Sequence, residues 1–190
     1  FASSSIGLTG AGAGNYNLVS PTDTRDITTN DVWISATKVY DGTNQVVTGD
    51  AVVINTSAGE TLNFSGAQTA FVNVNDSNNY FTHFTLEDGN SDDPNRGLAR
   101  NYTFSALGSH SANNQVTINK KNLILQARDE NKQYGTAATL SGTAFDRTGL
   151  QNGETVGSVT LTASGGGELA SADVGTYTIT PSAATGGTFD

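Results

Sequence analysis

The sequence has no cysteine and no methionine, only three prolines and one tryptophan, and only nine Lys plus Arg among 190 residues. Without cysteine there is no disulfide framework, so stability must come from burial and backbone pairing, helped at most by a metal ion. Without a basic patch the chain lacks the footprint of a nucleic-acid binder. The nearest candidate, Lys120-Lys121, reads as a solvated strand end. No window approaches the ~20 apolar residues of a membrane helix, so membrane insertion is not expected. The missing methionine marks residue 1 as an internal position, and Phe1-Ala2-Ser3-Ser4-Ser5 lacks the basic and apolar regions of a signal peptide. The chain is therefore expected to be cut from something longer, with any export signal upstream.

What fills the sequence instead is Gly, Ser, Thr, Asn and Asp, with hydrophobic residues at 35% and charged residues at 14%. That composition suits short strands and many turns and disfavours helices. The net charge of −9 fits an acidic, extracellular surface and opposes binding to anionic lipid.

An organising stretch is Lys38-Val39-Tyr40-Asp41-Gly42-Thr43, echoed at Lys132-Gln133-Tyr134-Gly135-Thr136. Each follows an alternating run, Val32–Thr37 in the first case and Leu123–Arg128 in the second. A strand closed by a tight turn explains both, with glycine supplying positive φ and Asp41 bonding its own backbone. Further strands are expected near 51–55, 61–64, 69–74, 80–86, 101–107, 116–118, 122–128, 156–163 and 174–179. In 80–86, Tyr80, Thr82, Phe84 and Leu86 share one face, and Phe81, His83 and Thr85 the other. Ser20-Pro21-Thr22-Asp23 is a turn signal. Asn15-Tyr16 returns as Asn101-Tyr102, and Tyr40 as Tyr134, which is the self-similarity of a repeat array.

Little of this carries chemistry. Gly10, Gly12 and Gly14 have no strand before them and no helix after, so a dinucleotide loop is not expected. His83 and His110 lack a nucleophile partner, and no Gly-x-Ser-x-Gly elbow occurs. Glu60, Glu87, Asp88, Glu154 and Glu168 offer carboxylates, but nothing in their order pairs them for glycoside hydrolysis. The chain reads as a non-enzyme that calls for no organic cofactor. Calcium is the one ion the residues suggest. Asp88, Asn90 and Asp92, with Asp93 beside them, place oxygens at alternating positions around Gly89, although EF-hand spacing fails. The competing reading is a solvated, Asx-rich turn. Trp33, Tyr80, Phe81 and Phe84 are the aromatics a sugar could stack on, with core packing the expected role of Trp33. Lys38 and Lys121 lie on strands, where an isopeptide crosslink is conceivable in a stalk without disulfides. Glycosylation sequons stand at Asn55, Asn63, Asn75 and Asn101.

Lys38–Thr43, with Gly49-Asp50 after it and Asn101-Tyr102 closing the unit, resembles the YDG repeat of large bacterial surface adhesins, including filamentous-haemagglutinin-like proteins of two-partner secretion. Lys132–Gly135, Leu140–Phe145, Gly149-Leu150, Gly153–Val156 and Val174–Ile179 resemble the MBG repeat of YGX type. The resemblance implies an all-β, elongated array of tandem modules, secreted or on the cell surface, that serves adhesion or a biofilm matrix by holding a tip away from the cell. An immunoglobulin-like sandwich and a β-grasp-like sheet both fit the strand spacing. On this reading residues 1–30 close a preceding repeat, 31–118 form a YDG-like repeat, and 119–190 form an MBG-like repeat lacking its last strand. Tyr40, Asp41, Gly42, Tyr134 and Gly135 then mark structural junctions. The expected partners are neighbouring repeats or copies of the chain, which would fill the vacant strand. A module that binds glycan or a host protein is the rival reading.

Overall fold

The computed structural model describes residues 8–18, 25–56, 59–74 and 76–188. The turn expected at 20–23 and the sequon at Asn75 lie outside them. The fold is mostly β. Its strands are β1 (Asn30–Asp31), β2 (Trp33–Val39), β3 (Ala51–Asn55), β4 (Leu62–Thr69), β5 (Phe81–Asp88), β6 (Tyr102–Thr103), β7 (Asn114–Asn119), β8 (Ile124–Ala127), β9 (Phe145–Thr148), β10 (Ser158–Ala163) and β11 (Ile179–Thr185). The helical content among the described residues is three single 3-10 turns, at Ala13–Asn15, Ala99–Asn101 and Ser164–Gly166. None of them is long or apolar enough to cross a membrane.

The strands form small sheets. β2 is central to a three-stranded sheet of order β3-β2-β7, antiparallel to β3 and parallel to β7. β4 and β5 form a hairpin-like pair, β1 lies parallel to β6, and β8-β9 and β10-β11 are separate antiparallel pairs. Alternation builds the first core. Val32, Ile34 and Ala36 point inward from the β2 segment, and Val116 and Ile118 from β7. They meet Phe81, Val46, Ala67 and Tyr102, with Phe64, Phe84 and Phe104 against them. A second, smaller core holds Phe145, Val156 and Val159, with Leu125, Leu150 and Leu161 packed on it.

Several expectations need correction. No strand covers 69–74. A single strand, β4, absorbs the 61–64 run and ends at Thr69. The Asn79 amide then takes over the backbone of Phe71, accepting its N–H at 3.1 Å and donating to its carbonyl at 2.9 Å. An Asn side chain offering the backbone such partners competes with a ladder. Only Tyr102 and Thr103 of 101–107 are strand, and β11 begins where the 174–179 run was expected to end. β9 was not anticipated.

Trp33 is not a core residue. It is 54% exposed, because Val32 and Ile34 on either side hold the inward positions. Phe81 and Phe84, expected on opposite faces, belong to one core with their rings 4.9 Å apart, edge to face. The pairing of β4 with β5 shifts register between Ser65 and Gln68, where Gly66 has φ +60, and again between Gln68 and Thr69, whose partners His83 and Phe81 leave Thr82 as an extra residue in β5. A bulge of this kind turns a side chain that strict alternation would send outward.

Candidate functional site at the junction turn

The Lys38–Thr43 stretch follows the end of β2. Parity puts Lys38 on the same inward face as Ile34 and Ala36, and β7 lies alongside, with Ile118 as the register partner of Lys38. Lys38 is therefore 2% exposed. A buried ammonium is tolerated only when its protons are matched. Here Nζ donates to Asp41 Oδ1 at 2.9 Å, to the Thr43 carbonyl at 3.1 Å and to the Gln45 carbonyl at 2.5 Å. Asp41 Oδ1 also accepts the Thr43 N–H at 2.9 Å and the Thr43 hydroxyl at 3.0 Å. Partial burial pushes the Asp41 carboxyl up. The hydrogen bond from Lys38 and those from Thr43 outweigh it and hold it below its ordinary value of 3.8. The turn is thus wound around a lysine, a role the sequence signals only through the inward parity of position 38.

Two groups from the later half of the chain close onto this turn. Tyr40 is half-buried, and its hydroxyl donates to Glu154 Oε1 at 2.5 Å. Glu154 Oε2 accepts the Gln151 N–H at 3.0 Å. Those two bonds, Tyr40 first, hold the Glu154 carboxyl below its ordinary 4.5. The Asn152 amide donates to the Gly42 carbonyl. Gly42 has φ +72, and a Cβ there would run into the Asn152 side chain. Glycine is required both for the left-handed backbone and for the approach of the second turn. Asn152 is itself left-handed at φ +46, a conformation Asn tolerates better than most.

The echo repeats part of this wiring. Lys132 Nζ donates to the Thr136 carbonyl at 3.3 Å and to the Leu169 carbonyl at 2.8 Å. In both copies the lysine thus bonds the threonine carbonyl that follows the Tyr-Gly turn. Gly135 has φ +84. Tyr134, however, is 68% exposed, whereas Tyr40 is half-buried against Glu154.

The acidic loop after β5 is bound into local hydrogen bonds. Asp88 accepts from Arg96 and from the Ala99 N–H, both at 2.8 Å. Asn90 accepts from the Asn63 amide at 3.0 Å. Asp93 accepts from the Thr61 hydroxyl at 2.6 Å and the Asn95 N–H at 2.8 Å, which hold its carboxyl below 3.8. Asp92 accepts only from Ser91, at 3.3 Å, among the bonds described. Among the described residues no group of three or more His, Cys, Asp or Glu side chains is arranged to hold a metal ion. His83 and His110 are exposed. Glu60 accepts the Tyr102 hydroxyl. Trp33 stands on the outward face of β2, with Val39 and Val53 also exposed on that sheet.

Searches against protein-family models, curated proteins and solved structures find no match to this chain.

Proposed function

We propose that the chain is a structural stalk segment of a secreted or cell-surface bacterial adhesin or matrix fibre, built from YDG-like and MBG-like repeats. The supporting observation is the junction. The turn that ends β2 is tied to the turn before β10 by Tyr40–Glu154 and Gly42–Asn152, so the turn wound around Lys38 also joins the strands before it to those of the later half of the chain. A part whose work is length and cohesion needs such ties between units. It needs no catalytic cleft. Joining one, two and three copies of residues 1–190 in a single polypeptide tests this. In solution scattering the maximum dimension should grow in equal steps with copy number. Growth as a compact ball would overturn the stalk reading.

The second reading, a module that recognises glycan or a host protein, is favoured by one observation. Trp33 lies outward on a strand face beside Asn55 and Ser35, the exposed-aromatic arrangement that sugar stacking uses. Glycan-array binding that disappears in Trp33→Ala would support it.

A further inference from the structure

The turn that docks on Gly42 is Gln151-Asn152-Gly153-Glu154. Its two central residues are both left-handed, Asn152 at φ +46 and Gly153 at φ +75, and the Glu154 N–H closes it on the Gln151 carbonyl at 2.7 Å. This is the type I′ geometry, for which Asn-Gly is a preferred pair. Of the chain's asparagines, Asn152 alone is followed by glycine. Both residues are exposed, and a Cβ added to Gly153 would meet nothing within 4 Å, so the pair stands open to water.

An Asn-Gly pair is prone to one spontaneous reaction, because glycine has no side chain to shield its nitrogen or to restrict its backbone. The Gly153 nitrogen attacks the Asn152 side-chain carbonyl carbon. The amide nitrogen leaves as ammonia, taking the Gly153 N–H proton, and a cyclic succinimide remains. Water then opens the ring at either carbonyl. The product is an aspartate, or an isoaspartate whose backbone is longer by a methylene. The closed junction opposes the first step. The Asn152 amide is committed to the Gly42 carbonyl, and it must let go before the side chain can turn back onto its own backbone. The facing pair, Asp41-Gly42, has the same form but is the poorer target, since its carboxylate is paired with Lys38 and bonded by Thr43.

We propose that Asn152 is a self-modification site: its deamidation, with water as the only co-reactant, is held back while the junction is closed and keeps the junction open once it has occurred. The product carboxylate has no proton to give. It would face the Gly42 carbonyl, itself an acceptor, with Glu154 in the same turn and Asp41 on the opposing one. The isoaspartate also lengthens the turn that holds Glu154 within reach of the Tyr40 hydroxyl. Loss of ammonia to solvent makes the step irreversible, so the junction records how long it has stood open. The chemistry needs only the junction and holds whatever the role of the chain.

Peptide mass mapping of the full chain, aged at neutral pH and body temperature, tests this. The mass shift from amide to acid should appear at Asn152 before it appears at any other asparagine, with isoaspartate among the products. Tyr40→Ala removes a charge-assisted bond across the junction and should speed the shift about tenfold by favouring local opening. Unfolding in urea should speed it at least as much. Asn152→Asp should lower the thermal midpoint by about 2–4 °C, whereas Asn15→Asp, on an exposed turn outside the junction, should leave it unchanged. An Asn152 that keeps its amide while other asparagines lose theirs overturns the proposal. So does a rate that Tyr40→Ala leaves unchanged, or an Asn152→Asp chain as stable as wild type.

Discussion

At the scale of single residues the most informative contrast is between the two lysines of the repeated turn. Lys38 satisfies three acceptors in a buried site, and Lys132 satisfies two carbonyls in a half-exposed one. Removing Lys38 leaves the Thr43 and Gln45 carbonyls without their donor and Asp41 without its cation, so Lys38→Ala should cost about 2–4 kcal/mol in denaturant unfolding. Lys132→Ala should cost below about 1 kcal/mol, since water replaces what is lost. Four hydrogen-bonded carboxyls, two of them at this junction, set a pH dependence. Asp31, Asp41, Asp93 and Glu154 all have folded pKa values below their ordinary ones, through hydrogen bonds from Ser105, Lys38 and Thr43, Thr61 and Asn95, and Tyr40 and Gln151 respectively. A carboxyl depressed in the folded state stabilises it above the unfolded pKa and loses that contribution as pH falls through the folded one. Stability should therefore be flat above the ordinary values of 3.8 and 4.5 and decline as pH drops beneath them. Asp41→Asn should flatten part of that decline in acid titrations followed by circular dichroism.

At the scale of elements, the strands were far more legible than their faces. β2, β3, β5, β7 and β8 sit where alternation and β-branched residues put them, because each is short, amphipathic and bounded by turn residues. Their orientation was less accessible. One residue of slip exchanges the two faces of a strand, and in β2 that difference separates a buried Trp33 from the exposed one observed. In β5 the extra residue Thr82, between the partners of Gln68 and Thr69, turns Phe81 into the core, an event visible only once β4 and β5 are paired. The asparagines were read as turn formers, and two of them are structural clamps. Asn114, fully buried, accepts the Phe81 N–H at 2.8 Å and donates to the Phe81 and Ala106 carbonyls at 3.1 and 2.9 Å. Nothing in an Asn/Gln run announces such a long-range partner. Phe81→Ala should cost about 3–5 kcal/mol, and Asn114→Ala about 2–4 kcal/mol through unpaired backbone groups. Trp33→Ala should fall within about 1 kcal/mol of wild type. Thermal melts that ranked Trp33→Ala with Phe81→Ala would contradict this assignment of the faces. The junction turn was legible as punctuation, since Tyr-Asp-Gly announces a turn. That Glu154 and Asn152 dock on it was not, because the contact joins positions far apart in sequence.

At the scale of the whole molecule, the two cores predict unequal stability and a junction that couples them. The first core gathers nine buried residues around an aromatic cluster, and the second holds three buried hydrophobics beside an open cleft. With less apolar area withdrawn from water, the second unit should melt first. Tyr40–Glu154 and Gly42–Asn152 tie it to the first, so part of its stability is borrowed across the junction. Tyr40→Ala should therefore lower the early transition in calorimetry by more than the late one, and Gly42→Ala should do the same by straining a left-handed backbone and displacing Asn152. If the early transition belonged instead to the larger first core, Phe81→Ala would shift it; the cores described here require Phe81→Ala to shift the late transition and Phe145→Ala the early one.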